Sequence, residues 1–128
     1  MMGEKRVFET DRAAILGGPY SQATIHNGMI YISGQGPVDP KTNQVALGTI
    51  EEESKLTLEN IRIILEEAGS SLGKVLQVTV YLANIKEYGR FNDVYKKYFT
   101  EDLPARTCIQ AAKLPFGISV EISAIAYI

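Results

Sequence analysis

Val75-Leu76-Gln77-Val78-Thr79-Val80-Tyr81-Leu82 alternates with a period of two, with Leu76, Val78, Val80 and Leu82 on one side and Val75, Gln77, Thr79 and Tyr81 on the other. Successive side chains of an extended chain point to opposite faces, so the stretch is expected to be a strand with one apolar and one mixed face. The apolar face needs a cover, and the flanking sequence supplies two. Upstream, Thr49 followed by Glu52 has the spacing of a capping box, and Leu58, Ile61, Ile64, Leu65 and Ala68 recur at helical spacing until Gly69 offers a stop. Downstream, Tyr88, Phe91, Tyr95, Tyr98 and Phe99 form the aromatic stripe of a second helix, with Asn84 as its expected cap.

Further out, Ser21 to Ile25, Asn27-Gly28 and Met29 to Ser33 read as a β-hairpin, because Asn-Gly accepts the positive φ angles of a tight turn. Gly34-Gln35-Gly36-Pro37 and Asp39-Pro40-Lys41-Thr42-Asn43 read as a loop, since proline cannot donate to a ladder. Strands over roughly Arg106 to Ala111 and Ser119 to Tyr127 close the chain. Strand, strand, helix, strand, helix, strand, strand implies an α+β fold: one domain over residues 1–128, a mixed sheet with two helices on one face. The other face would then carry Tyr31, Ser33, Thr79, Tyr81, Arg106, Cys108, Glu121, Ser123, Ile125 and Tyr127. That set is too polar for a core and too aromatic for plain solvent, as in an interface, so the sheet is expected to pack against copies of itself in a closed symmetric oligomer.

A chain of 128 residues, 45% hydrophobic, is long enough for a real core. The net charge of -2 gives no broad attraction to phosphates, and Lys96-Lys97 falls on the solvated side of the second helix, so nothing supports a nucleic-acid partner. With Cys108 the only cysteine and His26 the only histidine, a single chain forms no disulfide and no Cys/His zinc site. Met1 to Phe8 contains Glu4, Lys5 and Arg6 without an apolar core, and no run has the length of a membrane span, so a cytoplasmic protein without membrane contact is expected.

Two charged residues in strand-like runs draw attention, Arg106 in Pro104-Ala105-Arg106-Thr107-Cys108 and Glu121 in Val120-Glu121-Ile122-Ser123. Arg106 carries a fork of donors matched to a carboxylate, and it reads either as an anion anchor or as half of a salt bridge with Glu121 or another acid. Burial would raise the pKa of Glu121 and Arg106 would lower it, which leaves the direction open. Cys108 lacks an evident base and reads as a packed thiol rather than a nucleophile. Ser33 lacks a G-x-S-x-G elbow, Gly34-x-Gly36 lacks the lysine and helix of a phosphate loop, and both are assigned to hydrogen bonding and turn geometry. Asn92, between Tyr88 and Tyr95, needs partners for its amide, and Tyr20 after Gly17-Gly18-Pro19 serves either to anchor a turn or to cover a small ligand.

Taken together, Gly18-Pro19-Tyr20-Ser21-Gln22, Ser33-Gly34-Gln35, Asn92-x-x-Tyr95 with Tyr98-Phe99, Pro104-Ala105-Arg106-Thr107-Cys108, Leu114-Pro115 and Val120-Glu121-Ile122 closely resemble the Rid family, the YjgF-like reactive-intermediate deaminases. The resemblance is collinear from about Phe8 to Tyr127. It implies a chorismate-mutase-like α+β fold, a homotrimer with sheets inward, and clefts between subunits. For the RidA-type branch, marked by the arginine at Arg106, it implies cofactor-free hydrolysis of 2-iminobutanoate and 2-iminopropanoate to 2-oxo acids and ammonia. Arg106, helped by backbone groups of Thr107 and Cys108, would then clamp the carboxylate of a small 2-imino or 2-oxo acid, and Glu121 would position water. Tyr20, Ser33, Gly34 and Asn92 would shape the pocket. The same clamp would equally serve a non-catalytic carboxylate sensor. Phe116-Gly117 departs from the Lys-Asp that often follows Leu-Pro in the family, which bears on substrate size.

Overall fold

The structure, a computed structural model, describes residues 3–128, so Met1 and Met2 of the N-terminal reading lie outside the described residues. Its strands are β1 (Arg6–Phe8), β2 (Ala23–His26), β3 (Met29–Gln35), β4 (Val38–Asp39), β5 (Gln44–Val45), β6 (Val75–Leu82), β7 (Ala105–Gln110) and β8 (Val120–Tyr127), and its helices are α1 (Ile50–Glu67) and α2 (Tyr88–Tyr98). Six strands form one sheet in the order β1-β2-β3-β8-β6-β7. β6 runs antiparallel to β8 and parallel to β7, which makes the sheet mixed, and α2 is the crossover a parallel pair requires. The α+β architecture expected from the sequence is therefore present.

The hairpin turns through Asn27 and Gly28 at φ +49 and +75, and β3 continues two residues beyond the expected Ser33. In α1 the capping box forms as expected: Thr49 Oγ1 accepts from the Glu52 N–H (3.1 Å) and Glu52 Oε1 from the Thr49 N–H (2.9 Å). Gly69, at φ +87, follows the helix end. Leu58, Ile61, Ile64 and Leu65 are fully buried against the sheet. Truncating one such side chain to alanine costs about 2–5 kcal/mol.

Four expectations change. Val75 is buried and Leu76 is 48% exposed, the reverse of simple alternation, because a register shift between Val75 and Gln77 inserts a bulge opposite Ile125 and Ala126. The segment read as a loop contains a short ladder, Val38–Asp39 against Gln44–Val45, whose turn places Asn43 at φ +57. β1 pairs with β2 along the sheet edge, and three residues are too few for a periodic signal. Asn84 caps the 3-10 turn Ile85–Glu87 by accepting from the Lys86 N–H (3.0 Å), and this turn then leads into α2. Among the described residues no helix is long and apolar enough to cross a membrane.

One acid of the first turn of α1 does work that the sequence did not signal. Glu53 is 2% exposed, accepts from the Ser119 N–H (2.7 Å) and the Gly48 N–H (3.1 Å), and so ties the start of β8 to the helix. Glu53→Ala strips the half-buried Ser119 amide of its partner, at about 1–3 kcal/mol, leaves the exposed Gly48 amide to water, and empties the buried space of the side chain. Urea denaturation is expected to show a loss of about 3 kcal/mol with little change in m.

Candidate functional site

Because β7 runs parallel to β6, register decides which way its side chains point. Arg106 lies beside Val78 and Cys108 beside Val80, both buried, so the two residues project onto the helix-covered face. This corrects the expectation that Arg106 and Cys108 share the open face with Glu121. Thr107 and Ile109 take those places instead. The sequence misled because, on an edge strand, Arg, Cys and Gln look solvent-facing and Ile109 looks like core, whereas α2 covers the polar side.

The surroundings explain why a cation is tolerated there. Arg106 Nη1 donates to Asn92 Oδ1 (2.8 Å) and Nη2 to the Tyr88 hydroxyl (2.9 Å). The guanidinium carbon lies 4.6 Å from the centroid of the Tyr95 ring, 5.4 Å from that of Tyr88 and 5.8 Å from that of Phe91. Ring faces are electron-rich and attract the cation without neutralising it. Among the described residues no carboxylate stands within ion-pair distance of Arg106. The salt-bridge reading of Arg106 therefore fails in one copy. Asn92, whose amide needed partners, serves as the brace, and the Tyr88 hydroxyl is a second brace that the aromatic stripe did not reveal.

Tyr95 and Cys108 complete this half. The Tyr95 hydroxyl is buried without a hydrogen-bond partner, and burial pushes its pKa up to about 12 against the pull of Arg106. Burial likewise raises the Cys108 thiol, with Arg106 offsetting part of the effect. A thiol held protonated is a poor nucleophile, which agrees with the packing role expected for it.

Glu121 belongs to the other half. It lies beside Tyr81 in the β6–β8 register, on the face without helices. Gly34 approaches it so closely that a Cβ there would stand 2.5 Å from Glu121 Oε2, so only glycine leaves room for the carboxyl in this position. Desolvation raises the Glu121 pKa from the ordinary 4.5, with no neighbouring charge offsetting it, which fixes the direction the sequence left open. The Ser33 hydroxyl donates to Ser21 O (2.6 Å), the hydrogen-bonding role expected of it. Leu16, Tyr20, Ser33, Gly34, Phe116 and Glu121 border a cleft of about 560 Å³.

The lip of this cleft, residues 9–18, has no regular structure and is held by amide side chains. Gln22 Oε1 accepts from the Thr10 N–H (2.9 Å) and its Nε2 donates to Ala14 O (3.0 Å). Asn60 Oδ1 accepts from the Ala14 N–H (2.9 Å) while its Nδ2 donates to Val38 O (2.8 Å), and Asn43 Oδ1 accepts from the Ile15 N–H (2.9 Å).

The raised Glu121 pKa has a consequence for stability. A carboxyl whose folded pKa lies above its unfolded value favours the fold while protonated, and that contribution is lost as pH rises through the folded value. Glu121→Gln is therefore expected to raise the melting temperature at neutral pH, and the gain should shrink to nothing below the ordinary glutamate pKa of 4.5. Thermal scans across pH read the difference.

In one copy, then, the braced cation and the desolvated carboxyl occupy opposite faces of the sheet. Comparisons with known proteins place the whole chain. A sequence profile described as Endoribonuclease L-PSP matches residues 11–128. A 2-iminobutanoate/2-iminopropanoate deaminase of Capra hircus is 46% identical over 122 residues, covering 95% of this chain and 89% of that one. A RutC family protein of Pyrococcus abyssi is 44% identical over 123 residues, covering 96% of this chain and 97% of its own. Among solved structures, a conserved Rid family protein of unknown function from Yersinia pestis superposes with a TM-score of 0.94 at 38% identity, covering 98% of this chain and all of that one. Profile, identity and superposition agree over nearly the whole length, and the chain belongs to the Endoribonuclease L-PSP family, known also as the Rid or YjgF-like family.

Proposed function

We propose that this protein hydrolyses 2-imino acids and their enamine tautomers, such as 2-iminobutanoate and 2-iminopropanoate, to 2-oxo acids and ammonia without a cofactor. The observation that carries the reading is Arg106: a guanidinium braced on two nitrogens, faced by aromatic rings, and left without an acidic partner. Of its five N–H donors, two are used by Asn92 and Tyr88, and three remain for a carboxylate. β7 is an edge strand, and the Ala111 N–H donates to Leu82 O across the ladder. Alternation therefore turns the backbone groups of Thr107 toward β6 and those of Cys108 to the open edge, where they can add to that clamp. The backbone help expected of Thr107 is thereby taken up by the sheet. The goat relative named for this activity supports the same substrate class.

An imine carbon is already electrophilic, so the reaction asks mainly for orientation, a held water and proton transfer. Glu121 takes a proton from water as the oxygen bonds to the imine carbon. It passes that proton to the nitrogen to give a neutral aminoalcohol, then takes the hydroxyl proton and delivers it to the same nitrogen as the carbonyl forms, the carbon–nitrogen bond breaks and ammonia leaves. A carboxyl that holds its proton more tightly than usual suits both transfers. Since Arg106 and Glu121 project from opposite faces, we place each site between two copies of a homotrimer, with Arg106 from one and Glu121, Ser33, Gly34 and Tyr20 from the next. The helix-free face, with Tyr31, Tyr81, Ile109, Ile125 and Tyr127 on it, supplies the apolar area for such packing.

The test supplies threonine to a pyridoxal-phosphate threonine dehydratase and follows decay of the released imine and formation of ammonia with and without this protein. Acceleration supports the reading. Binding of 2-oxobutanoate by calorimetry without any acceleration would instead indicate a carboxylate sensor. A subsidiary result concerns Gly34→Ala, whose new methyl displaces the flexible end of Glu121 rather than backbone. It is expected to lower kcat about tenfold, in line with the cost of misplacing a proton-transfer group, while the melting temperature stays within a few degrees.

A further inference from the structure

The turn bordering the Glu121 cleft is built from a residue its geometry disfavours. Ile118 N–H donates to Pro115 O (3.3 Å), and the two residues between, Phe116 and Gly117, have φ of +61 and +72. Two positive φ angles in succession are the pattern of a type I′ turn, for which Asn-Gly is the preferred pair. This chain places Asn-Gly at its other such turn, Asn27 and Gly28, at φ +49 and +75. A bulky residue in the left-handed region is strained, and here the strain secures no burial in the core, because Phe116 is 66% exposed. The fold alone would be served better by asparagine.

What the ring does is border the cleft. Phe116 stands with Leu16 (44% exposed) and Tyr20 (54% exposed) around the space that Glu121 enters. On one copy this space measures about 560 Å³, which leaves room beside Glu121 for more than a four-carbon acid before the neighbouring copy adds its wall and Arg106. Building on the hydrolytic reading above, we infer that Phe116, with Leu16 and Tyr20, forms a subsite for the substrate side chain, and that the preferred ligands are 2-imino and 2-oxo acids with branched or aromatic apolar side chains. The carboxylate goes to Arg106 and the reacting carbon to Glu121. The side chain extends past Gly34 toward the Phe116 ring, which is held outward by a backbone conformation that few residues adopt.

The experiment compares wild type with Phe116→Asn, a change that fits the left-handed turn and so is expected to keep or raise the melting temperature. Calorimetry measures binding of 2-oxopropanoate, 4-methyl-2-oxopentanoate and 3-phenyl-2-oxopropanoate, and imines generated from alanine, leucine and phenylalanine by an L-amino-acid oxidase give the matching kcat/KM values. Wild type is expected to favour the branched and phenyl ligands about tenfold, and the variant to lose most of that ratio, the scale on which one apolar contact discriminates. Equal affinities in wild type, an unchanged ratio in Phe116→Asn, or no binding of any of the three acids would overturn the subsite. A binding preference erased by the substitution, but with no imine hydrolysis by wild type, would support the subsite while ending the hydrolytic reading.

Discussion

Arg106→Ala is expected to lower kcat/KM for 2-iminobutanoate by about 10³-fold, equivalent to about 4 kcal/mol of transition-state binding. The clamp fixes the substrate by a charge-assisted pair of hydrogen bonds, and without it neither orientation nor the approach of water is controlled. Arg106→Lys should recover less than a tenth of the loss. An ammonium is a compact point charge that cannot keep two braced nitrogens and also present a flat fork to a carboxylate. The guanidinium also packs over the Tyr95 ring, so the variant will lose some thermal stability. A melting curve beside the kinetics separates the effects, because a shift of a few degrees leaves the protein folded at assay temperature and explains none of a thousandfold loss. A rate within threefold of wild type would remove Arg106 from the chemistry.

The second large effect comes from the opposed directions of Arg106 and Glu121. Glu121→Gln alone is expected to reduce kcat by about 10²–10⁴-fold, the usual contribution of a positioned acid–base group. When Arg106→Ala and Glu121→Gln chains are co-expressed in equal amounts, a site drawing one residue from each of two copies is intact with a probability of about one quarter. Activity should therefore return to roughly 25% of wild type. Sites contained within one copy would give no recovery at all. The measurement thus tests the assembly and the mechanism together, and a mass three times that of the chain would identify the expected trimer.

The fold was legible wherever periodicity and punctuation agreed. The capping box at Thr49, the stop at Gly69 and the turn at Asn27-Gly28 each have a local physical cause, and each stands where the sequence put it. Less was legible where a partner strand decides the outcome. Leu76 is turned outward by a bulge that exists only because β6 meets β8, and Arg106 and Cys108 face the helices because β7 takes its register from β6. Alternation reports that two faces differ; it does not report which of them an edge strand lends to the core. The family resemblance points to Asn92 and Gly34 as pocket residues, and their geometry gives them physical roles as a brace and as a close approach. The Tyr88 hydroxyl and the buried Glu53 carried no such signal, since a tyrosine in an aromatic stripe and a glutamate in a first helical turn are ordinary residues in ordinary places.

The loosely shaped stretch ahead of Pro19 hangs from the carboxamides of Gln22, Asn43 and Asn60. Carboxamides gain and lose no proton between acid and alkali, so the part of the rim next to the cleft, tied at Ala14 and Ile15, hangs from bonds that pH does not touch, while the carboxylate of Glu67 meets only the far end of the segment, at Thr10 and Arg12. A bend in the pH–rate curve can then be ascribed to the acid inside the cleft, without invoking collapse of the wall around it.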